Sequence, residues 1–573
     1  MAYDILLQAV LVPIALSPVG YLAGRRFGSR GTLFAFAVLL YSTILLLIAA
    51  LTANSSATGA YAETYTWFPF TISASNLLGS IGHFGLYVDG ISMPFALTIY
   101  ILCTAVSLYS VPYMKHRIFE QEGVSVESHN ASSSGQVQLL ELETASTERS
   151  DKSSNETGET KEPNLENVRT NARFGLYIAL LMLYSAGMVG TVLSTNLIEL
   201  YFFFEFMLIP SYFLIAEFGY GARGRISLMY LLWTHVGALL MLLGFLAIGT
   251  ASSQQSFIFL QTPGVPLKDV ISAISGSLLP WIVFAIVVGL FVKLAAFGLH
   301  IWLPYAHGEA PTPISALLSP AMIGIGGYII IRMFTIILPS AYHEVNLGIA
   351  VWGVVTMFYG GIMALAQDDI KRLLAYSSVS QMGYIIFGIA TATELGVGGS
   401  VFQFVSHGTG KAILFMVAGL IIVQAGGLRS IKKMGGLSQK LPITAVCAAV
   451  GFLAILGFPE TNGFQSEWLI FGGGFQLATA PGPYQNYWTI LAILAVISTI
   501  VTASYCLWTM ARVFFGKLPS ELNNVHEGSA YMLGPMIFLA ILTVVLGVFP
   551  GFIDGPLFHT LSSMYSSVLK ALP

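Results

Sequence analysis

From residue 3 to residue 553 the chain is a succession of apolar stretches separated by shorter polar links. A helix needs about 20 apolar residues to cross the hydrocarbon core of a bilayer. Fourteen such stretches can be counted, roughly 3–24, 31–52, 89–114, 173–194, 196–219, 225–250, 279–303, 313–338, 344–367, 371–392, 396–425, 441–470, 487–511 and 529–553. In hydrocarbon the backbone N–H and C=O groups must be satisfied within the segment, so stretches of this kind form helices. The pattern predicts an all-α polytopic membrane protein of about 14 transmembrane helices. Only 9% of the residues are charged, against about 25% in an ordinary soluble chain. The net charge of −3 offers no basic surface for nucleic acid. Cys103, Cys447 and Cys506 all fall in apolar spans without any CxxC spacing, which argues against disulfides and iron–sulfur ligation. The N-terminal MAYDILLQAV has neither a basic n-region nor a small-residue cleavage site, so the first span is expected to stay.

Two spans are interrupted: the seventh at Leu303-Pro304, and the twelfth at Gly457-Phe458-Pro459, resuming through Gly463. Such breaks are tolerated where protein or a cavity satisfies the freed backbone groups. Lying five spans apart, they suggest paired, inverted five-helix units. The expected organisation is three N-terminal helices (1–114), a polar insert (115–170), a first five-helix repeat (171–338), a second (344–516), and a C-terminal helix and tail (529–573).

Alternating the fourteen spans puts Arg25, Arg26, Arg30, Arg223, Arg225, Lys371, Arg372, Arg429, Lys432, Lys433, Lys440, Arg512 and Lys517 on one side. Only Lys268 and Lys570 fall on the other. Basic loops mark the cytoplasmic side, so both termini are expected outside and the insert inside. The insert is rich in Ser, Glu, Asn and Thr and reads as disordered. Its sequons at Asn130 and Asn155 read as chance matches. The loop from Thr52 to Val88 has no Lys or Arg and carries Tyr and Trp, which suits an outer surface.

Ionisable side chains inside spans are few, and each costs at least about 2.5 kcal/mol at the centre of a helix. By default they mark an ion or proton path. Lys293 and Lys411 are central, whereas Arg332 lies toward a span end and is expected to snorkel to the interface. Glu205 and Glu467 are deep carboxylates, and Glu199 reads as interfacial. Gln403, His407 and Lys411, at i, i+4 and i+8, form one helix face. His300 and His307 follow Lys293 in FVKLAAFGLHIWLPYAHGEAPTP. His235, alone in LLWTHVGALL, is a weaker candidate whose plainest role is helix packing. Gly-rich IGIGGY reads as a close helix contact rather than a nucleotide loop.

The motifs NLIELYFFFEFMLIPSYFLIAEFG, VKLAAFGLHIWLPYAHGEAPTPISALL, QDDIKRLLAYSSVSQMGYIIFGI, SHGTGKAILFMVAG and GFPETNGFQSEW, with VDGISM before them, occur in this order. In them the chain resembles the antiporter-like membrane subunits of respiratory complex I, and their relatives in multisubunit sodium/proton antiporters and membrane-bound hydrogenases. The resemblance implies a fourteen-helix core of two inverted repeats with broken helices seven and twelve. It implies that Glu205 and Lys293 act as a coupled pair, that His407 and Lys411 form a central relay, and that Glu467 is the terminal proton site. A glutamate at that last position resembles the M branch, the mitochondrial subunit-four type, while VSLYSVPYM resembles the L branch equally. His300 and His307 match further residues of the polar axis. Gly324 falls where many members carry a lysine, so the link from Lys293 to Lys411 would run through His300 or water.

The resulting expectation is a proton-translocating subunit in the membrane arm of a complex I-like quinone oxidoreductase. It would bind no redox cofactor and no metal, and its partners would be other membrane-arm subunits, the lipid bilayer and protons, or sodium in their place. A prokaryotic plasma membrane is the expected location. The alternatives are a subunit of a sodium/proton antiporter or membrane-bound hydrogenase and, more remotely, a membrane redox subunit with haem held by His235, His300 or His407, or with bound quinone.

Overall fold

The computed structural model describes residues 4–56, 58–66, 83–123, 165–251, 257–259, 274, 276–334 and 338–569. In chain order it contains α1 (Ile5–Phe27), α2 (Thr32–Ser55), strands β1 (Tyr61–Thr66) and β2 (His83–Val88), α3 (Ser92–Glu122), α4 (Leu165–Leu193), α5 (Leu197–Phe218), α6 (Arg223–Ala251), α7 (Leu279–Lys293), α8 (Trp302–Glu309), α9 (Thr312–Leu317) and α10 (Ile325–Arg332). There follow α11 (Pro339–Leu365), α12 (Ile370–Ala390), α13 (Glu394–Gln424), α14 (Pro442–Leu456), α15 (Asn462–Thr479), α16 (Gln485–Phe514), α17 (Ala530–Val548) and α18 (Gly551–Leu569). Eleven described stretches are long and apolar enough to cross a membrane, and α7 and α14 are shorter apolar helices. The chain is an all-α polytopic membrane protein, as its apolar pattern predicts. The insert assigned to 115–170 is narrower than expected, because α3 runs on to Glu122 and α4 starts at Leu165. Asn130, Asn155, Lys268 and Lys570 lie outside the described residues.

The two strands form an antiparallel hairpin, pairing Tyr61 with Val88 through Thr66 with His83. The hairpin places Glu63 under the start of α1, where its carboxylate accepts the backbone N–H groups of Leu6 (3.0 Å) and Leu7 (2.9 Å). Those are donors that the first turn of a helix leaves unpaired, and a negative charge there also suits the helix dipole.

The seventh-span break lies earlier than Leu303-Pro304. α7 ends at Lys293 and the chain is irregular until Trp302, with Ala295 at φ 51° and Gly298 at φ 85°. The freed carbonyl of Val292 accepts the Trp302 indole N–H at 2.9 Å. Pro304 sits in the first turn of α8, where its missing N–H costs nothing. The twelfth-span break falls where expected, between α14 and α15, with Gly457 at φ 73° and Glu460 at φ 71°. A third interruption, unforeseen, is the π-helical turn Leu318–Met322 between α9 and α10.

Two side chains assigned to the interface are instead buried. Arg332 is fully enclosed and makes a two-pronged ion pair with Asp89 (2.8 and 2.5 Å), so it does not snorkel. Glu199 is also buried, its Oε2 accepting the backbone N–H of Gly85 at 3.1 Å. Both partners, the Asp89 carboxylate and the Gly85 N–H, come from the hairpin and the turn after it, which fold over the ends of α5 and α10.

After α17 the chain turns into α18, where Asp554 accepts a hydrogen bond from Gln465 Nε2 at 2.9 Å. Burial pushes the Asp554 carboxyl up to about 6, with the Gln465 bond pulling the other way. An acid raised on folding favours the folded state only while protonated, so stability is lost as pH rises from the ordinary carboxylate value through about 6. Asp554→Asn, which stays neutral, should therefore melt above wild type at about pH 8 and together with it at about pH 3. Scanning fluorimetry in detergent checks this, and an equal melting temperature at both pH values would mean that the carboxylate is solvated.

Candidate functional site

Apart from the Arg332–Asp89 pair, the candidate ionisable residues are carried by α5, α6, the broken α7–α8 pair, α12, α13 and α15. α12 and α13 are enclosed almost throughout, so their polar side chains must find protein, water or protons rather than lipid.

At one end, Glu205 of α5 meets His235 of α6, Oε2 to Nδ1 at 2.9 Å. His235, read from sequence as a helix-packing residue, is the carboxylate's direct hydrogen-bond partner. Its side chain is 42% exposed on the flank of the bundle, against 18% for Glu205. Lys293 ends α7, buried, where the helix breaks. Its ammonium lies 4.7 Å over the Phe204 ring and has no hydrogen-bond partner among the described residues. Phe204 is the residue next to Glu205 on α5. The coupled pair expected from sequence is therefore a trio, in which the hydrogen bond goes to the histidine.

His300, in the break, pairs its Nε2 with the Tyr359 hydroxyl at 3.1 Å. His307, in α8, is fully buried and stacks on Phe415 of α13 with ring centroids 5.0 Å apart. Neither of its ring nitrogens, nor those of His407, has a protein hydrogen-bond partner among the described residues. Lys411 donates to the Leu374 carbonyl at 3.2 Å and to the Ser377 hydroxyl. His407 stands one turn before Lys411 on α13, and the Phe415 on which His307 stacks stands one turn after it. Unpartnered buried nitrogens of this kind are where ordered water is held.

Beyond Lys411 along α13, the Gln403 side chain joins Gln381 of α12 to Ser466 of α15, whose hydroxyl donates at 2.5 Å. The next residue is Glu467, buried, with Oε1 unpartnered among the described residues. The twelfth-span break shapes its site: a Cβ added at Gly457 would stand 2.4 Å from Glu467 Oε2. Only glycine allows both that approach and the positive φ.

The structure thus groups the sequence-predicted residues at three places: Glu205 with Lys293; His307 with His407 and Lys411; and Glu467 beyond the amides. His300 stands apart, on Tyr359. Sequence reasoning missed Lys371, counted as a loop charge. It is fully buried and donates to the Ala310 carbonyl, with its amine 5.6 Å from the Tyr220 ring centroid. A cation in the first turn of a helix opposes the dipole, and that misplacement was the available signal. Among the described residues no three His, Cys, Asp or Glu side chains are grouped to hold a metal ion.

Comparison with known proteins gives these features a setting. Residues 194–498 match the family model described as NADH:quinone oxidoreductase/Mrp antiporter, TM, and residues 80–121 match the N-terminal model of NADH-ubiquinone oxidoreductase (complex I) chain 5. The F(420)H(2) dehydrogenase subunit M of Methanosarcina mazei is 34% identical over 65% of this chain and 73% of its own length. The NADH-quinone oxidoreductase subunit M of Rhodobacter capsulatus is 30% identical over 69% and 77%. In fold, the chain is similar to one in respiratory complex I from Thermus thermophilus (TM-score 0.74, 23% identity, 98% of each chain covered). It is also similar to one in the Mrp complex from Dietzia (TM-score 0.72, 22% identity, 98% of this chain and 52% of that one). With the family model spanning more than half its length, the chain belongs to the NADH:quinone oxidoreductase/Mrp antiporter family of transmembrane proteins.

Proposed function

We propose that this chain is a proton-translocating subunit in the membrane arm of a respiratory quinone oxidoreductase, holding no redox cofactor of its own. The observation that carries the reading is the trio at Glu205. Its carboxylate is hydrogen-bonded to His235 at 2.9 Å while Lys293 is left buried over Phe204 without a bonded partner. With the carboxylate on His235, Lys293 lacks a close counter-charge and gives up its proton. When the carboxylate turns back, Lys293 holds one. Charge moved along the arm by quinone reduction would throw this switch. Released protons would pass to the His307, His407 and Lys411 group and leave by way of Glu467.

His235 is open to the flank of the bundle in the middle of α6, and a titratable group so placed requires cover from another membrane subunit. Removing it should disable the switch by giving Glu205 to Lys293 permanently. For His235→Ala we expect proton translocation to fall at least about a hundredfold, the low end of what one positioned proton carrier contributes. Electron transfer through the soluble part of the complex should be unaffected. Acidification of sealed inverted vesicles is the measurement, and unchanged rates would return His235 to a packing role. The basic-loop count favours both termini outside, in a prokaryotic plasma membrane.

The second reading is gradient-driven sodium/proton exchange, favoured by the likeness to the Mrp complex. Purification from native membranes in mild detergent, with mass spectrometry of what accompanies the chain, separates the two. Iron–sulfur and quinone-site subunits support the redox reading. Small hydrophobic antiporter subunits alone would replace it with exchange.

A further inference from the structure

Two serines meet where the first group of broken spans touches the second. Ser319 lies in the π-helical turn between α9 and α10, and Ser378 lies in α12. Both are fully buried, and their hydroxyl oxygens are 2.6 Å apart. Ser378 also donates to the Leu374 carbonyl at 3.0 Å, the same oxygen that takes Lys411 Nζ at 3.2 Å. Sharing that acceptor brings Ser378 and the Lys411 amine within reach of one bridging water. Ser377, the next residue in α12, bonds Lys411 directly. On the far side, Ser315 stands one helical turn before Ser319 and bonds back to the His307 carbonyl at 3.5 Å. No side chain from the next turn can take over this crossing. A Cβ at Gly324 would stand 2.3 Å from the Phe404 ring, which itself packs on Phe95 with centroids 4.2 Å apart.

We propose that Ser319 and Ser378 form a hydroxyl bridge that carries protons between the two groups of spans to Lys411, a step that rests on the proton-translocating function above. A hydroxyl both donates and accepts, so each can take a proton on one side as it releases its own on the other. A proton enters at Ser319 from water on the α8–α9 side. The original Ser319 proton passes to Ser378, and the original Ser378 proton passes through the bridging water to the neutral amine of Lys411. An ammonium results, no bond between heavy atoms changes, and both hydroxyls rotate back before the next transfer.

The test compares the Ser319→Ala/Ser378→Ala double variant with Lys411→Met in the intact complex. The readouts are electron-driven acidification of sealed vesicles in H2O and in D2O, with native gels to follow assembly. The double variant should assemble, translocate protons about a hundredfold more slowly, and show a larger slowing in D2O than wild type. The bridge is overturned if Lys411→Met stops translocation while the double variant runs at the wild-type rate. It is also overturned if the double variant slows with no increase in the isotope effect, which a structural role alone would give. If neither variant slows, the proton-translocating function itself fails, and the bridge with it. Should the double variant not assemble, Ser319→Ala alone, which keeps the Ser378 bond to Leu374, decides by the same two criteria.

Discussion

Lys411→Met should assemble normally and lose this chain's share of proton translocation by at least about a hundredfold, the lower bound for removing a positioned proton carrier. The combination follows from what surrounds this amine. Lys411 is buried in α13, and its bonds go to the Leu374 carbonyl and the Ser377 hydroxyl, not to a carboxylate. Removing the charge therefore strands no opposite charge. Ser377 and Ser378 keep their own bonds to Leu374, so that carbonyl stays satisfied. Methionine refills most of the volume, which holds the packing loss below about 1.5 kcal/mol. What disappears is the one group at this point able to hold a proton between the His307–His407 pair and the amides leading to Glu467. Vesicle acidification and a native gel, run on the same membranes, separate the two effects. A variant that fails to assemble would make Lys411 a structural residue.

Arg332→Ala should do the opposite, removing the folded protein before its transport can be measured. The guanidinium is fully enclosed, bonded twice to Asp89 and once to the Tyr328 hydroxyl at 3.1 Å. Breaking a buried ion pair from one side costs about 3–5 kcal/mol, because the remaining charge is left in a site it cannot leave. Asp89→Asn should be milder. Asparagine's carbonyl oxygen can still accept the bonds that Ile91 (3.1 Å) and Ser92 (2.9 Å) now give to Asp89 through their backbone N–H groups. Replacing both partners together, as Asp89→Leu with Arg332→Met, should recover much of the loss, since an apolar pair can match a buried ion pair in stability. Membrane abundance and melting in detergent measure all three. An Arg332→Ala protein as abundant and as stable as wild type would mean the pair is hydrated.

The contrast between these two cations shows what the sequence could and could not reveal. The spans were legible because apolar length alone forces helix in a bilayer, and the break at Gly457 was legible because glycine and proline coincide there. Lys293, Lys411 and Glu467 stand out as ionisable side chains deep within apolar spans, and all three are buried. Arg332 shares that pattern but sits near a span end. Its partner is 243 positions away, in a turn whose approach only the tertiary fold determines. The contact of His235 with Glu205 is hidden for the same reason. A lone histidine carries no sign of the carboxylate on the neighbouring helix, because the register between α5 and α6 is not written in either segment. The seventh-span break is not legible from Leu303-Pro304, because proline there does not mark where the helix ends. The backbone turns instead at Ala295 and Gly298, and Pro304 sits within the first turn of the next helix. Ser319 and Ser378 left no trace at all, since serines are ordinary residues of membrane helices until two of them face each other.

The most direct measurement is the number of protons translocated per electron in sealed native vesicles, compared between wild type and the Lys293→Ala and Glu467→Ala variants. If protons cross by way of these side chains, both variants assemble and the ratio falls, because electron transfer no longer drives this chain's share of the transport. A wild-type ratio in both would contradict proton translocation through this subunit.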